Sequence, residues 1–152
     1  MALVKHNNNS LSAVTSMASL TTGSMTLIKE QTASSSASIS FVDGSSDVVL
    51  DSTYPIYKFE FINIHASATT PSLKFNLSTD GGSNYNVTKT TTFFRAIHNE
   101  AGDVSALSYD AGFDLAQSTS DQAIMQYVGN ENDESASGSM TLFNLSSVDS
   151  LT

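Results

Sequence analysis

The sequence contains no cysteine and no tryptophan, only two prolines, and six basic residues against fifteen acidic ones. Without cysteine there are no disulfides and no thiolate metal ligands, so stability must come from packing, sheet hydrogen bonds or association with other subunits. A formal net charge of -9 repels a phosphate backbone at moderate salt, so nucleic acid is not an expected partner. No run approaches the roughly 20 consecutive apolar residues that span a bilayer. Met1-Ala2-Leu3-Val4-Lys5-His6 also lacks the apolar core of a secretory leader. The expectation is synthesis in a cytoplasm with no membrane partner.

Catalytic signatures are missing as well. The three histidines, His6, His65 and His98, have no close-spaced partner for a zinc site. No G-x-S-x-G turn presents a serine nucleophile, and Asp80-Gly81-Gly82 is not followed by the Gly-Lys-Ser/Thr of a phosphate-binding loop. Asp110, Asp114 and Asp121 are dispersed, and spacing alone cannot set two of them across a cleft. The expectation is a non-enzyme with no cofactor. Asn-x-Ser/Thr sequons such as those at Asn76, Asn86 and Asn144 matter only in a secretory pathway and read as chance.

What is abundant is serine, threonine and asparagine, in a chain that is 39% hydrophobic and only 14% charged. Its surface is wetted by hydroxyls and amides, and its 152 residues suit one domain plus an arm. Residues 1–23 carry scattered hydrophobes among poor helix formers and read as an extended N-terminal arm. An arm of this kind can add as a strand to a neighbour's sheet, and Leu3, Val4, Leu11 and Val14 are the candidate docking residues.

From residue 24 onward, short β-branched and aromatic runs alternate with Gly, Asp, Asn and Ser clusters, the rhythm of an all-β antiparallel β-sandwich, jelly-roll-like, over residues 24–152. Leu73, Phe75 and Leu77 alternate with Lys74, Asn76 and Ser78, giving a half-buried strand. Asp80-Gly81-Gly82-Ser83-Asn84 follows as a turn, which predicts that this strand pairs with the run from Tyr85 as a hairpin. Tyr57, Phe59 and Phe61 line one face of another strand, while Ile56, Ile62 and Ile64 make its other face partly apolar. That pattern predicts a central position. Further strands are expected at residues 25–31, 37–42, 93–98, 104–109, 123–128 and 139–145. The pentapeptide Gly-Ser-Met-Thr-Leu occurs at both Gly23 and Gly138 and reads as two strands with similar inward faces.

Two groups could carry recognition. Tyr85, Tyr109 and Tyr127 are candidates for contact with a glycan or another subunit, because tyrosine offers a ring for stacking and a hydroxyl for bonding. Glu131, Asp133 and Glu134 form an oxygen-rich loop that could hold calcium weakly, although the spacing is not that of an EF-hand and a solvated loop is the simpler reading.

Tyr57-Lys58-Phe59-Glu60-Phe61-Ile62-Asn63-Ile64-His65, the stretch from Ser78 to Thr88, and Phe93-Phe94-Arg95-Ala96-Ile97-His98-Asn99-Glu100 resemble a family of virion structural proteins of marine tailed bacteriophages. Gly129-Asn130-Glu131-Asn132-Asp133 and the stretch from Gly138 to Phe143 are similar to it too. The resemblance implies a β-sandwich of decoration or tail-fibre type, held on head or tail by its arm, with capsid, tail or fibre subunits as partners. It also implies homo-oligomers, release by host lysis, and further strands beyond Thr152. A host carbohydrate- or receptor-binding module of a fibre is the alternative.

Overall fold

The computed structural model describes residues 25–68 and 71–145. The expected arm and its docking residues Leu3, Val4, Leu11 and Val14 lie outside them. By contacts the chain divides into two units, Met1–Glu30 and Gln31–Thr152, and every strand among the described residues belongs to the second. That unit is all-β: β1 (Ile56–Ile64), β2 (Leu73–Phe75), β3 (Lys89–Thr91), β4 (Phe94–His98), β5 (Ser105–Tyr109), β6 (Leu115–Ser118), β7 (Gln122–Met125) and β8 (Ala136–Phe143).

The pairing is nested and antiparallel throughout: β1 with β8, β2 with β7, β3 with β6, β4 with β5. All four ladders are centred on residues 98–104, the turn between β4 and β5. Residues 56–143 therefore run out and back as one long antiparallel ribbon, the jelly-roll-like arrangement of an eight-stranded chain. Backbone bonds from Val128 N–H to Pro71 C=O (2.9 Å) and from Ala66 N–H to Gly129 C=O (3.3 Å) carry the two arms across the gap between the β1–β8 and β2–β7 ladders.

Local chemistry fixes the tip. Asn99 N–H donates to Val104 C=O at 3.0 Å, Gly102 N–H donates to Asn99 C=O at 3.1 Å, and the Asn99 side chain accepts from Val104 N–H at 2.9 Å. Gly102 sits at φ 74°, where a residue without Cβ is unstrained. Irregularities punctuate the ribbon: the β1–β8 register shifts between Phe61 and Ile64, with Asn63 at φ 53°, so the strand bends there.

The alternation in β1 works as the sequence indicates, with Tyr57 buried, Phe59 and Phe61 half-buried, and Lys58 and Glu60 exposed. Phe41, from the segment before β1, meets Phe59 edge-on at 5.5 Å. Three expectations need correction. β1 has one ladder partner, β8, and is not central. β2 does not form a hairpin with the run after Tyr85. A single backbone bond from Val87 N–H to Leu77 C=O (3.3 Å) closes that loop, and the ladders go to β7 and β6 across the ribbon. Residues 25–31 and 37–42 form no strand and join no ladder. The remaining strands match the expected runs to within a few residues, and β3 falls in the run expected after Tyr85, whereas β6 carries no strong alternation and was not anticipated.

The core is small. Among the described residues the buried hydrophobics are Val48, Tyr57, Ala123 and Val128, and no side chain is completely enclosed. Buried polar groups sit beside them. Gln122 in β7 accepts from Thr91 Oγ1 of β3 and donates through Nε2 to Phe113 C=O at 2.9 Å. Lys89 Nζ in β3 donates to Asn76 Oδ1 at 2.6 Å and Val87 C=O at 2.8 Å. These side chains join ladders that the backbone leaves separate.

Candidate functional site

β5 ends at Tyr109, and the chain turns through residues 110–114 before β6. Asp110 shapes the turn: its C=O accepts Phe113 N–H at 3.1 Å, its carboxylate accepts Gly112 N–H at 3.3 Å, and its own N–H donates to Phe93 C=O at 2.9 Å. The same carboxylate lies 3.3 Å from Arg95 Nε, and Arg95 Nη1 donates to Gln126 Oε1 at 3.3 Å. Arg95 is the sole arginine of the sequence, and it ties β4 both to this turn and to the residue after β7.

Aromatic rings gather around the turn. Phe113 lies 5.6 Å from Phe93 and 6.4 Å, edge-on, from Tyr127. Tyr109 meets Phe94, its cross-strand partner in the ladder, edge-on at 5.3 Å. Such pairs contribute about 0.5–1.5 kcal/mol beyond area burial. The Tyr109 hydroxyl donates to Asp114. That hydrogen bond, then burial, then the carboxylate's charge hold the phenol above its ordinary pKa of 10.0. Tyr109 and Tyr127 remain 48% and 57% exposed, so both rings offer faces to solvent. Tyr127 stands at φ 53°, a left-handed conformation that costs an aromatic residue about 1–2 kcal/mol.

Beside this cluster is a shallow depression lined by Lys74, Phe113, Asp114, Leu115 and Asp121 among others. The structure thus brings Asp114 and Asp121 to one depression and sends Asp110 to Arg95, a sorting that sequence spacing could not supply. Both lining carboxylates are engaged: Asp114 by Tyr109, and Asp121 by Asn76 Nδ2 at 2.8 Å. The lining holds a cation and two carboxylates but no histidine, serine or cysteine. Its polar groups suit hydrogen bonding to a hydroxylated ligand, with rings nearby for stacking.

Of the three candidate tyrosines, Tyr109 and Tyr127 share this aromatic end. Tyr85 belongs to a different loop, next to Gly82, where a Cβ would lie 3.2 Å from the Tyr85 hydroxyl and 2.9 Å from Val42. In the acidic loop the Glu134 carboxylate accepts Glu131 N–H at 3.2 Å, and Glu134 N–H donates to Glu131 C=O at 3.1 Å. Among the described residues no group of three or more His, Cys, Asp or Glu is placed to hold a metal, so the Glu131, Asp133 and Glu134 loop reads as a self-bonded turn. His65 Nε2 pairs with Asn63 Oδ1 at 3.1 Å, while His98 ends β4 opposite Ser105.

Phe94, Phe113 and Gln122 were not singled out in the sequence. Phe94 is the outward member of a Phe-Phe pair, and Phe113 follows a glycine turn, so each had a weak signal. Gln122 had none, because only the fold buries it.

Compared with known proteins, the chain matches no family model, no curated protein and no solved structure.

Proposed function

We propose that the protein is a non-enzymatic structural component of a bacteriophage particle, docked on head or tail by its N-terminal arm and exposing the β-sandwich as a decoration or tail-fibre module. The observation that carries this reading is the nested pairing of all eight strands, the jelly-roll-like arrangement that recurs in viral capsid and lectin domains. The support is by analogy of fold. It is joined by the sequence resemblance, by the absence of a nucleophile–base pair at the ringed depression, and by a core that leaves large hydrophobics for contact with other subunits. The test is co-sedimentation with particles lacking the protein. The full chain pellets with them, and a quadruple variant with Leu3, Val4, Leu11 and Val14 changed to Ser stays in the supernatant. A full chain that never pellets overturns the proposal.

A host-glycan-binding module is the second reading, favoured by one observation: Tyr127 is held in a left-handed conformation with its ring half-exposed beside Phe113. Strained residues concentrate at functional sites. On a glycan array this reading expects binding that Tyr127→Ala abolishes and Tyr85→Ala leaves intact.

A further inference from the structure

We propose that Lys89 and Asn76 condense within the folded chain into an isopeptide bond, with Asp121 as the carboxylate that passes the proton. Three elements bring the groups together: Asn76 follows the last residue of β2, Lys89 opens β3, and Asp121 closes the turn between β6 and β7. Lys89 is 8% exposed, and its Nζ donates to two carbonyl oxygens, Asn76 Oδ1 at 2.6 Å and Val87 C=O at 2.8 Å. Among the described residues no carboxylate forms an ion pair with it. A buried ammonium held by neutral oxygens alone is costly, and an amide in its place carries no charge.

The Asn76 side chain is held the right way round for attack. Its Nδ2 donates to Asp121 Oδ1 at 2.8 Å and to Thr119 C=O at 3.0 Å, while its Oδ1 also accepts Leu77 N–H at 2.9 Å. With both amide protons engaged by acceptors, the carbonyl is the group left to face the lysine. A C=O bond is about 1.2 Å long, so Nζ lies no more than about 3.8 Å from Asn76 Cγ. Reacting atoms in productive complexes sit ~3–3.5 Å apart, a small further approach.

The condensation needs no oxidant and no second substrate. The lone pair of the uncharged amine attacks Cγ, the Cγ–Nζ bond forms, and Leu77 N–H stabilises the charge gathering on Oδ1. Both nitrogens then sit on Cγ, which brings Nζ within reach of the carboxylate that already touches Nδ2. Asp121 takes the proton from Nζ and gives it to Nδ2. The Cγ–Nδ2 bond breaks, ammonia leaves and a secondary amide remains. The event occurs once per chain and is not turnover of a substrate. It closes residues 77–88 into a covalent loop, which limits the unfolded chain as a disulfide would, in a sequence without cysteine.

The test is intact-mass spectrometry of the denatured full chain, followed by tryptic peptide mapping. The expected wild-type mass is lower than that of the sequence by one ammonia, and a branched peptide joins Asn76 to a Lys89 that trypsin no longer cuts. Lys89→Arg, which keeps a donor at the site, carries the full mass. Asp121→Asn keeps an acceptor for Nδ2 but cannot carry the proton, and it slows linkage by roughly tenfold or more. The wild-type measurement stands whatever the variants do to folding. A folded wild type of full mass that trypsin cuts after Lys89 overturns the inference, and so does an ammonia loss that persists in Lys89→Arg.

Discussion

Tyr57 is the buried aromatic among the described residues, 4% exposed, and its hydroxyl closes the loop before β1 by donating to Asp51 C=O at 2.9 Å and accepting Asp51 N–H at 3.1 Å. Tyr57→Phe keeps the ring and removes both bonds, so urea unfolding should show a loss of about 1–2 kcal/mol. Gln122 is more demanding, since its removal takes the donor from Phe113 C=O and the acceptor from the Thr91 hydroxyl together, while Thr91 Oγ1 keeps Leu115 N–H. Gln122→Ala should cost about 2–3 kcal/mol. Asp80 gives a pH test. Hydrogen bonds from the Asn84 side chain, Ser78 and Asn84 N–H lower its pKa to about 2. A lowered carboxylate stabilises its loop fully above the unfolded value near 4 and loses that contribution as pH falls toward 2. The amide signals of Gly82 and Asn84 should therefore shift between pH 4 and 2 in the wild type, and Asp80→Asn should abolish that transition. Tyr57 and Asp80 were legible as a strand residue and a turn residue. Gln122 was not, because a polar side chain gains a buried role only when distant strands enclose it.

The elements obey one rule, an antiparallel ribbon folded about the β4–β5 turn, and its turns differ in tolerance. Gly102 at the tip and Gly82 in the β2–β3 loop both have positive φ, but a Cβ at Gly102 meets open space while one at Gly82 comes within 2.9 Å of Val42. Gly102→Ala should cost about 1 kcal/mol of backbone strain and Gly82→Ala measurably more, an order that thermal melts can check. Most strands were readable from alternation, because period-2 patterning reveals which face is buried. It does not reveal the partner, and the expected β2–β3 hairpin failed for that reason: a glycine turn reverses the chain without obliging its flanks to pair. The repeated Gly-Ser-Met-Thr-Leu makes the same point. At Gly138 it lies in β8, opposite β1, whereas Met25, Thr26 and Leu27 of the first copy join no ladder.

At the scale of the molecule, short ladders, a small core and exposed hydrophobics belong together. Each ladder has two strands, so among the described residues unpaired edges run along the ribbon, of the kind that can accept a further strand. Burial of these edges in an assembly would add to a modest intrinsic stability. The jelly-roll-like class was legible in composition and strand rhythm, and its nesting was not. The measurement that tests the central claim most directly is electron microscopy of phage particles lacking the protein after addition of the purified chain. The account predicts added density at regular positions on head or tail, lost when residues 1–23 are deleted. Particles that stay bare with the full-length protein would contradict it.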